Sequence, residues 1–220
     1  DDIPVIVQDR KFDKNGQFIY SHDENRIIEP GMLGDTILVN GTYAPFVEIP
    51  AKLVRLRVLN GSNARRYNFG FSDNRTFYQI ASDGGLLPAP VERTLMLLAP
   101  AERAEILVDL SNTNGPLTLM SYEVVDDVTP IINLFQRIFL PDNDEYQQFK
   151  ILELKPKAGN FAKQEIPQTL NTIKRFNKDD AVKTRLFSLD FNAREINGKK
   201  MDHSRVDQVI KKGDLEIWEV

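Results

Sequence analysis

The sequence predicts an all-β protein built as a β-sandwich, and three observations support that prediction. Short apolar runs alternate with turn residues throughout residues 1–156, at spacings typical of sandwiches. Asn15 and Asn40 each precede a glycine between two such runs, which predicts hairpin turns because both residue types tolerate positive φ. Residues 53–59 alternate apolar with basic side chains, as does a strand with one face in water.

The predicted strands of this first domain follow one another along the chain. They comprise residues 4–9, 17–20, 36–39, 53–59, 77–81, 95–98, 104–109, 117–122 and 150–154. Asp83-Gly84-Gly85 is predicted to be a tight turn between strands. It is not a phosphate-binding loop, because no Gly-x-Gly-x-x-Gly motif, lysine-bearing loop or helix follows it. The domain is expected to end near Pro156 and so to cover residues 1–156.

The rest of the chain is predicted to hold a linker and part of a second domain. Residues 157–181 are polar and charged, with one short helical turn expected at residues 168–173. Residues 182–220 are predicted to form strands, with a hairpin turn at Asn197. So few strands rarely bury enough surface to fold alone, so we expect an incomplete domain. Unpaired backbone groups of its last strand would favour self-association.

Composition excludes several classes of function. The 220 residues carry 28 basic and 32 acidic side chains, a net charge of −4, without the basic stripe that nucleic-acid binding needs. No apolar run approaches the roughly 20 residues of a membrane span, and the first residues do not resemble a signal peptide. The absence of cysteine excludes disulfides and thiolate metal sites. The cellular compartment stays open.

The sequence supports no catalytic, cofactor-binding or metal-binding assignment. His22 and His203, the two histidines, stand in polar turns, and one imidazole without convergent partners binds a metal weakly. No Ser-His-Asp arrangement is supported. Neighbouring carboxylates at residues 126–127 and 179–180 are expected to be solvated loop residues. The sequons at Asn40, Asn60 and Asn74 are short enough to arise by chance.

One group of charged residues could form a polar cluster on one face of the sandwich. Its members are Arg55, Arg57, Arg65, Arg66, Asp73, Glu102 and Arg103. Alternating charge on strands is ordinary, so a solvated or interdomain network of ion pairs is the main expectation for this group.

Several segments together resemble one protein family in order and spacing. They are Asp2-Ile3-Pro4-Val5-Ile6-Val7-Gln8-Asp9, Gly34-Asp35-Thr36-Ile37-Leu38-Val39-Asn40-Gly41, residues 55–65, residues 80–91, residues 100–109 and Ile196-Asn197-Gly198. The family is that of the multicopper oxidases, and within it the branch of bacterial cuprous oxidases and spore-coat laccases. The resemblance is good over residues 1–125, weakens over 126–181 and returns over 182–220.

This resemblance implies a Greek-key cupredoxin domain, the second of three, followed by the opening strands of a truncated third. In the family the first and third domains carry the copper ligands, as His-x-His and His-Cys-His elements. None of these motifs occurs here, so the resemblance implies no copper in this chain and copper in a full-length parent. The implied partners are the flanking cupredoxin domains, and the family is commonly exported to the periplasm or cell envelope.

Two functions follow from the resemblance, and a third, that of a nitrite reductase-type cupredoxin, is disfavoured by the three-domain spacing and the linker. The leading one is a structural, copper-free piece of an oxidase whose parent removes single electrons from a metal ion or phenol and reduces dioxygen to water. The alternative is a copper-free relative of the cell-division type, which keeps the fold and has lost the ligands. The Met-rich insert of the cuprous oxidases is missing, with Leu189 at the place expected for a thioether and only Met201 nearby. Asp190 is left as a weak candidate ligand for Cu(I).

Overall fold

A computed structural model describes residues 1–20, 31–124 and 148–220 of the chain. This part of the chain divides into two compact units, Asp1–Asn171 and Thr172–Val220. In the described ranges the regular secondary structure consists of β-strands, apart from one 3₁₀ turn at Lys178–Asp180. The predicted all-β class is confirmed.

The first unit is a sandwich of two sheets around one core. Its strands are β1 (Asp2–Arg10), β2 (Thr36–Val39), β3 (Thr42–Tyr43), β4 (Phe46–Pro50), β5 (Leu53–Asn60), β6 (Tyr67–Phe71), β7 (Phe77–Ser82), β8 (Gly85–Arg93), β9 (Met96–Leu98), β10 (Arg103–Asp109), β11 (Leu117–Tyr122) and β12 (Phe149–Lys157). One sheet has the order β3-β2-β1-β5-β10-β7-β8 and the other the order β4-β12-β11-β6-β9. Strands β1 and β5 are parallel neighbours in the seven-stranded sheet, and β4 and β12 are parallel neighbours in the five-stranded sheet. Between the two strands of each pair, the chain crosses to the other sheet.

Alternating side chains give each sheet one apolar inner face. In β5, Val54, Leu56 and Val58 are buried, whereas Arg55 and Arg57 point to the outer face. The predicted one-sided strand at residues 53–59 is therefore confirmed. Its alternation follows from the two-residue period of a strand, which places successive side chains on opposite faces.

Aromatic side chains of the five-stranded sheet fill much of the core. Tyr67, Phe69 and Phe71 of β6 are fully buried, and Phe71 meets Phe77 of the opposite sheet edge to face at a centroid distance of 5.7 Å. Burying a side chain of this size stabilises a fold by roughly 1.5–3 kcal/mol. The two sheets are thus held together mainly by apolar contact.

The predicted Asn-Gly hairpins are present, and the one at Asn40 has a second role. Asn40 has a φ of 50°, and β2 and β3 pair antiparallel on either side of it. Its side chain reaches across to β1, where Asn40 Oδ1 accepts a hydrogen bond from Ile6 N and Nδ2 donates one to Pro4 O, both at 2.9 Å. Asn40 therefore clamps the turn to the first strand.

The second unit contains a clamp of the same design. Its strands are β13 (Lys183–Leu186), β14 (Leu189–Asp190), β15 (Glu195–Ile196), β16 (Lys199–Lys200) and β17 (Glu216–Glu219). Strands β13 and β17 are parallel, as β1 and β5 are in the first unit. Asn197, with a φ of 53°, accepts from Ser188 N at 2.7 Å and donates to Leu186 O at 3.1 Å. Each clamp thus binds a carbonyl and the amide two residues later on the neighbouring segment.

The segment that follows β12 differs from the prediction in one respect. Residues 168–173 contain no helical turn, so that prediction is wrong. Leu170 N instead donates to Pro88 O of β8 at 2.9 Å, which ties this segment to β8 rather than to a helical turn of its own. The turn forms later, at Lys178–Asp180, where Asn177 Oδ1 accepts from Asp179 N. The division between the two units falls between residues 171 and 172.

The Asn40 clamp can be tested by Asn40→Asp. The carboxylate can still accept from Ile6 N and tolerates the positive φ, but its second oxygen faces the Pro4 carbonyl and cannot donate to it. We expect a loss of about 1 kcal/mol of unfolding free energy, the typical net value of one hydrogen bond, measured by urea denaturation. The control is Asn112→Asp in an exposed turn, and an equal loss there would contradict the role of the clamp.

Candidate functional site

The charged residues that the sequence singled out do not form one cluster. Arg55 and Arg57 lie on the outer face of the seven-stranded sheet, where Arg57 Nε binds Asp2 Oδ1 at 2.7 Å and Arg55 Nη2 binds Glu105 Oε2 at 2.5 Å. These side chains are a quarter to half exposed. Ion pairs of this kind stabilise a fold by about 0–1 kcal/mol, so they form an ordinary solvated network.

Three other members of that set have separate partners. Arg103 Nη1 pairs with Asp83 Oδ1 at 3.0 Å beside the turn between β7 and β8. Asp73 pairs with Arg75 at 2.7 Å, and this hydrogen bond lowers the pKa of the Asp73 carboxyl. Glu102 Oε2 accepts from Ala99 N at 2.7 Å and so closes the turn before β10. Each of these contacts shapes a turn.

Arg65 is the exception, because its side chain is only 1 % exposed. Its Nε donates to Asp9 Oδ2 at 3.1 Å, and Asp9 is equally covered. Its Nη2 donates to Gly34 O at 2.6 Å, and the guanidinium lies 4.6 Å from the centre of the Phe149 ring. Asp9 Oδ2 also accepts from Gly34 N at 2.6 Å. A buried ion pair therefore joins β1, the segment before β2 and the loop between β5 and β6.

Neutral polar groups extend this pair into what we call the Asp9–Arg65 cluster, comprising Asp9, Asn60, Ser62, Arg65 and Tyr67. Asp9 N donates to Ser62 Oγ at 3.0 Å, and that hydroxyl lies 2.8 Å from Tyr67 Oη. Asn60 Nδ2 donates to Arg65 O and Leu98 O, while its Oδ1 accepts from Ser62 N. Burial raises the pKa of the Tyr67 phenol, which therefore stays neutral.

Glycines allow the backbones around the cluster to approach one another. A Cβ on Gly34 would come within 2.5 Å of the Arg10 backbone, and one on Gly31 within 2.6 Å of the Ala64 Cβ. Gly31 also has a φ of +84°, which disfavours other residues. These contacts bring the segment before β2 close enough for both of its Gly34 backbone groups to bind the ion pair.

Sequence reasoning missed Asp9 as the partner of Arg65, although a signal was present. Val5 and Val7 of β1 point into the core, and the two-residue period places Asp9 on the same inner face. A charged residue at an inward position requires a partner of opposite charge, because an unpaired buried charge is very costly. That requirement points to a buried cation, but the sequence does not say which of the several arginines supplies it.

The Asp9–Arg65 cluster is a fixed connection between backbone segments, and we call its ion pair with the groups bonded to it the buried joint. Its ion pair is covered, and its phenol stays protonated. Asp9 Oδ1 is buried and has no hydrogen-bond partner in the part of the chain that the structure describes. The cluster offers no exposed acid, base or nucleophile to a substrate, so it positions three backbone segments.

Of the candidates in the second unit, Asp190 is engaged in local contacts, whereas His203 and Met201 are exposed. Asp190 Oδ1 accepts from Asn192 N and Ala193 N, each at 2.9 Å, and so closes the turn after β14. His203 and Met201 line an open pocket of about 540 Å³, and Met201 is 81 % exposed. His22 and residues 126–127 lie outside the described residues.

The donor set does not fit a copper centre. No cysteine occurs in the sequence, and the described ranges contain no group of three or more His, Asp or Glu side chains that could hold a metal ion. Beside His203, Asp202 accepts from Ser204, and Asp207 accepts from Lys199 at 3.1 Å and Arg205 at 2.8 Å. Across the described residues, no helix is long and apolar enough to cross a membrane.

The main ion pair of the second unit joins its two parallel strands. Arg185 of β13 forms a bidentate pair with Glu216 of β17, with distances of 2.5 Å from Nε and 2.9 Å from Nη2. Trp218 Nε1 also donates to Glu216 Oε2 at 3.1 Å. The hydrogen bonds from Arg185 are the main reason that the pKa of Glu216 is lowered to about 2.

Comparison with known proteins gives two sets of relatives. The chain is 36 % identical over 219 residues to a cell division protein FtsP of Yersinia pestis, covering 99 % of this chain and 44 % of that protein. It is 38 % identical over 224 residues to FtsP of Dickeya dadantii, again covering 99 % of this chain and 44 % of that protein. The chain thus spans less than half the length of these relatives. No family model matches it.

Solved structures similar to this chain are multicopper oxidases. The 2F4 variant of the McoA multicopper oxidase from Aquifex aeolicus matches with a TM-score of 0.71 and 32 % identity, covering 90 % of this chain and 41 % of that one. The laccase-like multicopper oxidase CueO from Ochrobactrum sp. matches with a TM-score of 0.72 and 28 % identity, covering 99 % and 48 %. The resemblance found in the sequence and the predicted cupredoxin-like fold are both confirmed.

Replacement of Arg65 by Met tests the buried joint. The variant keeps an apolar stem but leaves the Asp9 carboxylate buried without its cation. We expect a loss of about 3–5 kcal/mol of unfolding free energy in urea, the range found when one partner of a buried pair is removed. The matched control is Arg57→Met, which removes a half-exposed pair and should cost about 1 kcal/mol or less. Equal losses for the two variants would show that burial gives Arg65 no special role.

The Arg185–Glu216 pair predicts acid sensitivity of the second unit. Because the pKa of Glu216 is lowered from 4.5 to about 2, its ionised form stabilises the fold above pH 4.5, and this stabilisation is lost as the pH falls from 4.5 toward 2. Trp218, the one tryptophan in the sequence, contacts Glu216 and reports the change by fluorescence. The variant Glu216→Gln should weaken this dependence. Glu219→Gln, at an exposed position, should leave it intact, and the same acid transition in both variants would contradict the assignment.

Proposed function

The chain is related to the multicopper oxidases and to cell division protein FtsP, and from this relationship we propose that it is the copper-free structural core of an FtsP-type protein. The observation that carries the proposal is the match to FtsP over 99 % of the chain at 36–38 % identity. The oxidase structures match at 28–32 %. Of the two functions that the sequence left open, the copper-free alternative is thus favoured over the leading one.

The proposed role is to hold neighbouring domains in a fixed arrangement. We propose that the described residues are a middle cupredoxin domain and the first strands of the next, and that flanking cupredoxin domains are their partners. Apolar side chains on the outer surfaces of both units would be available for such contacts. Tyr43, Phe46 and Leu97 of the first unit are 48–71 % exposed, and Trp218 of the second is 53 % exposed. Exposed apolar side chains of this kind are common on protein surfaces, and we propose that flanking domains cover these ones.

The buried joint supports a structural role as well. A chain that must present fixed surfaces needs its loops tied to the core, and the Asp9–Arg65 cluster ties two of them to β1. Partners other than the flanking domains, such as a second copy of the chain, would use the same exposed side chains. We further propose a location in the cell envelope, where an FtsP-type protein of this fold would act in division.

A second candidate function is the oxidase itself, which the fold similarity to McoA and CueO favours. In that case the full-length protein would oxidise a metal ion or phenol by one-electron steps and reduce dioxygen to water. The copper ligands would all come from outside this chain, because its two histidines and missing cysteines do not supply a type 1 or trinuclear site.

Copper content of the full-length protein distinguishes the two functions. We expect far less than one copper per chain by elemental analysis, even after incubation with copper salts, and no oxygen consumption with phenols or Cu(I). The physical reason is that a copper-free relative lacks, in its other domains as well as here, the converging imidazole and thiolate ligands that a copper site needs. A multicopper oxidase carried through the same loading is the control. Stoichiometric copper with oxygen consumption would overturn the proposal and support the oxidase.

A further inference from the structure

Five Asn-Gly pairs occur in the sequence, at Asn15, Asn40, Asn60, Asn114 and Asn197. Such pairs are open to one spontaneous reaction. The glycine backbone nitrogen attacks the asparagine Cγ, a C–N bond forms, the bond to the side-chain nitrogen breaks and ammonia leaves with the proton. Water then opens the resulting succinimide to aspartate or isoaspartate. The reaction needs a side chain free to rotate and an accessible glycine nitrogen, which the missing Cβ favours.

Three of the five asparagines are held by hydrogen bonds through both side-chain atoms. Asn40 binds Ile6 N and Pro4 O, and Asn197 binds Ser188 N and Leu186 O. The buried Asn60 makes three side-chain hydrogen bonds within and beside the Asp9–Arg65 cluster. Attack on Cγ would require all of these bonds to break first, so we expect these three sites to be protected.

Asn15 is protected only in part. In the described ranges its side chain makes no hydrogen bond, but the attacking atom is engaged, because Gly16 N donates to Asp13 O at 3.0 Å. Asn15 N also donates to Asp13 Oδ1 at 2.8 Å, which holds the turn in place. The reaction here would require the turn to open.

Asn114 has neither form of protection. It lies in the exposed loop between β10 and β11, and neither its side chain nor Gly115 N forms a hydrogen bond with any residue the structure describes. Gly115 has a φ of +93° and nothing within 4 Å of the position of a Cβ. The loop is anchored just before this pair, where Arg75 Nη1 donates to Thr113 Oγ1 at 2.7 Å. The reaction can therefore proceed without unfolding the strands.

We propose that Asn114 is a site of spontaneous deamidation in the folded protein and that Asn40, Asn60 and Asn197 are protected by their hydrogen bonds. The product adds one negative charge and, as isoaspartate, an extra backbone carbon to the loop between β10 and β11. It leaves both asparagine clamps and the buried joint intact. The modification would therefore accumulate without loss of the fold.

The test is incubation of the full-length protein in mildly alkaline buffer, followed by pepsin digestion in acid and mass spectrometry. Acid digestion suppresses the reaction during analysis. We expect Asn114 to react first, Asn15 more slowly, and the three bonded asparagines at least about tenfold more slowly than Asn114, since a local opening that costs 1.4 kcal/mol gives a tenfold effect. In denaturant all five pairs should react at similar rates.

Two controls accompany this test: the denatured protein, which separates the effect of the fold from that of the local sequence, and a variant at the reactive site. Asn114→Gln keeps an amide but lengthens the side chain, and it should abolish modification of this loop without lowering the unfolding temperature. If Asn114 in the folded protein reacts no faster than Asn40 or Asn197, the proposal is wrong. The same order of the five rates in folded and denatured protein would also overturn it, because protection would then not come from the fold.

Discussion

A charge buried at the end of the first strand is the constraint on which much of this structure depends. Asp9 continues the inward-facing series of Val5 and Val7, so the strand cannot enter the core unless the carboxylate is neutralised there. Arg65 supplies the cation, and Gly34 satisfies one atom of each partner through its backbone. Three segments far apart in sequence must therefore meet at one point. These contacts set the positions of the loop between β5 and β6 and of the segment before β2.

This arrangement differs in kind from a catalytic or metal centre. In a metal centre, charge is exposed to a ligand or balanced by an ion. Here the carboxylate is balanced by a guanidinium that stacks on Phe149, and the adjoining phenol of Tyr67 remains protonated because burial raises its pKa. The side chains that could react are used to connect backbone segments. The inner surface thus serves the fold, and the contacts with neighbouring domains that we propose would be made by the outer surface.

Local rules allowed much of the fold to be predicted from the sequence. The hairpins at Asn15, Asn40 and Asn197 and the alternating strand at residues 53–59 depend on nearest neighbours, and all are present. The prediction of a helical turn at residues 168–173 is wrong because Leu170 forms a hydrogen bond with Pro88, about eighty residues earlier. No local pattern in the sequence reveals such a long-range contact. The pairing of Arg65 with Asp9 is long-range too, and the several other arginines concealed it. The turns at Asn40 and Asn197 were predicted. The hydrogen bonds from their side chains to neighbouring segments were not, because these depend on strand register.

Hydrogen exchange at Gly34 tests the buried joint most directly. Gly34 lies outside every strand, and its amide is bonded to the Asp9 carboxylate at 2.6 Å. If the joint fixes the fold, this amide in the full-length protein exchanges as slowly as that of Leu56 in the central strand β5, since both open only when the domain unfolds. Exchange at Gly34 as fast as at the exposed loop residue Asn63 would show that the segment opens independently. The buried ion pair would then not be what fixes the segment before β2 to the rest of the domain.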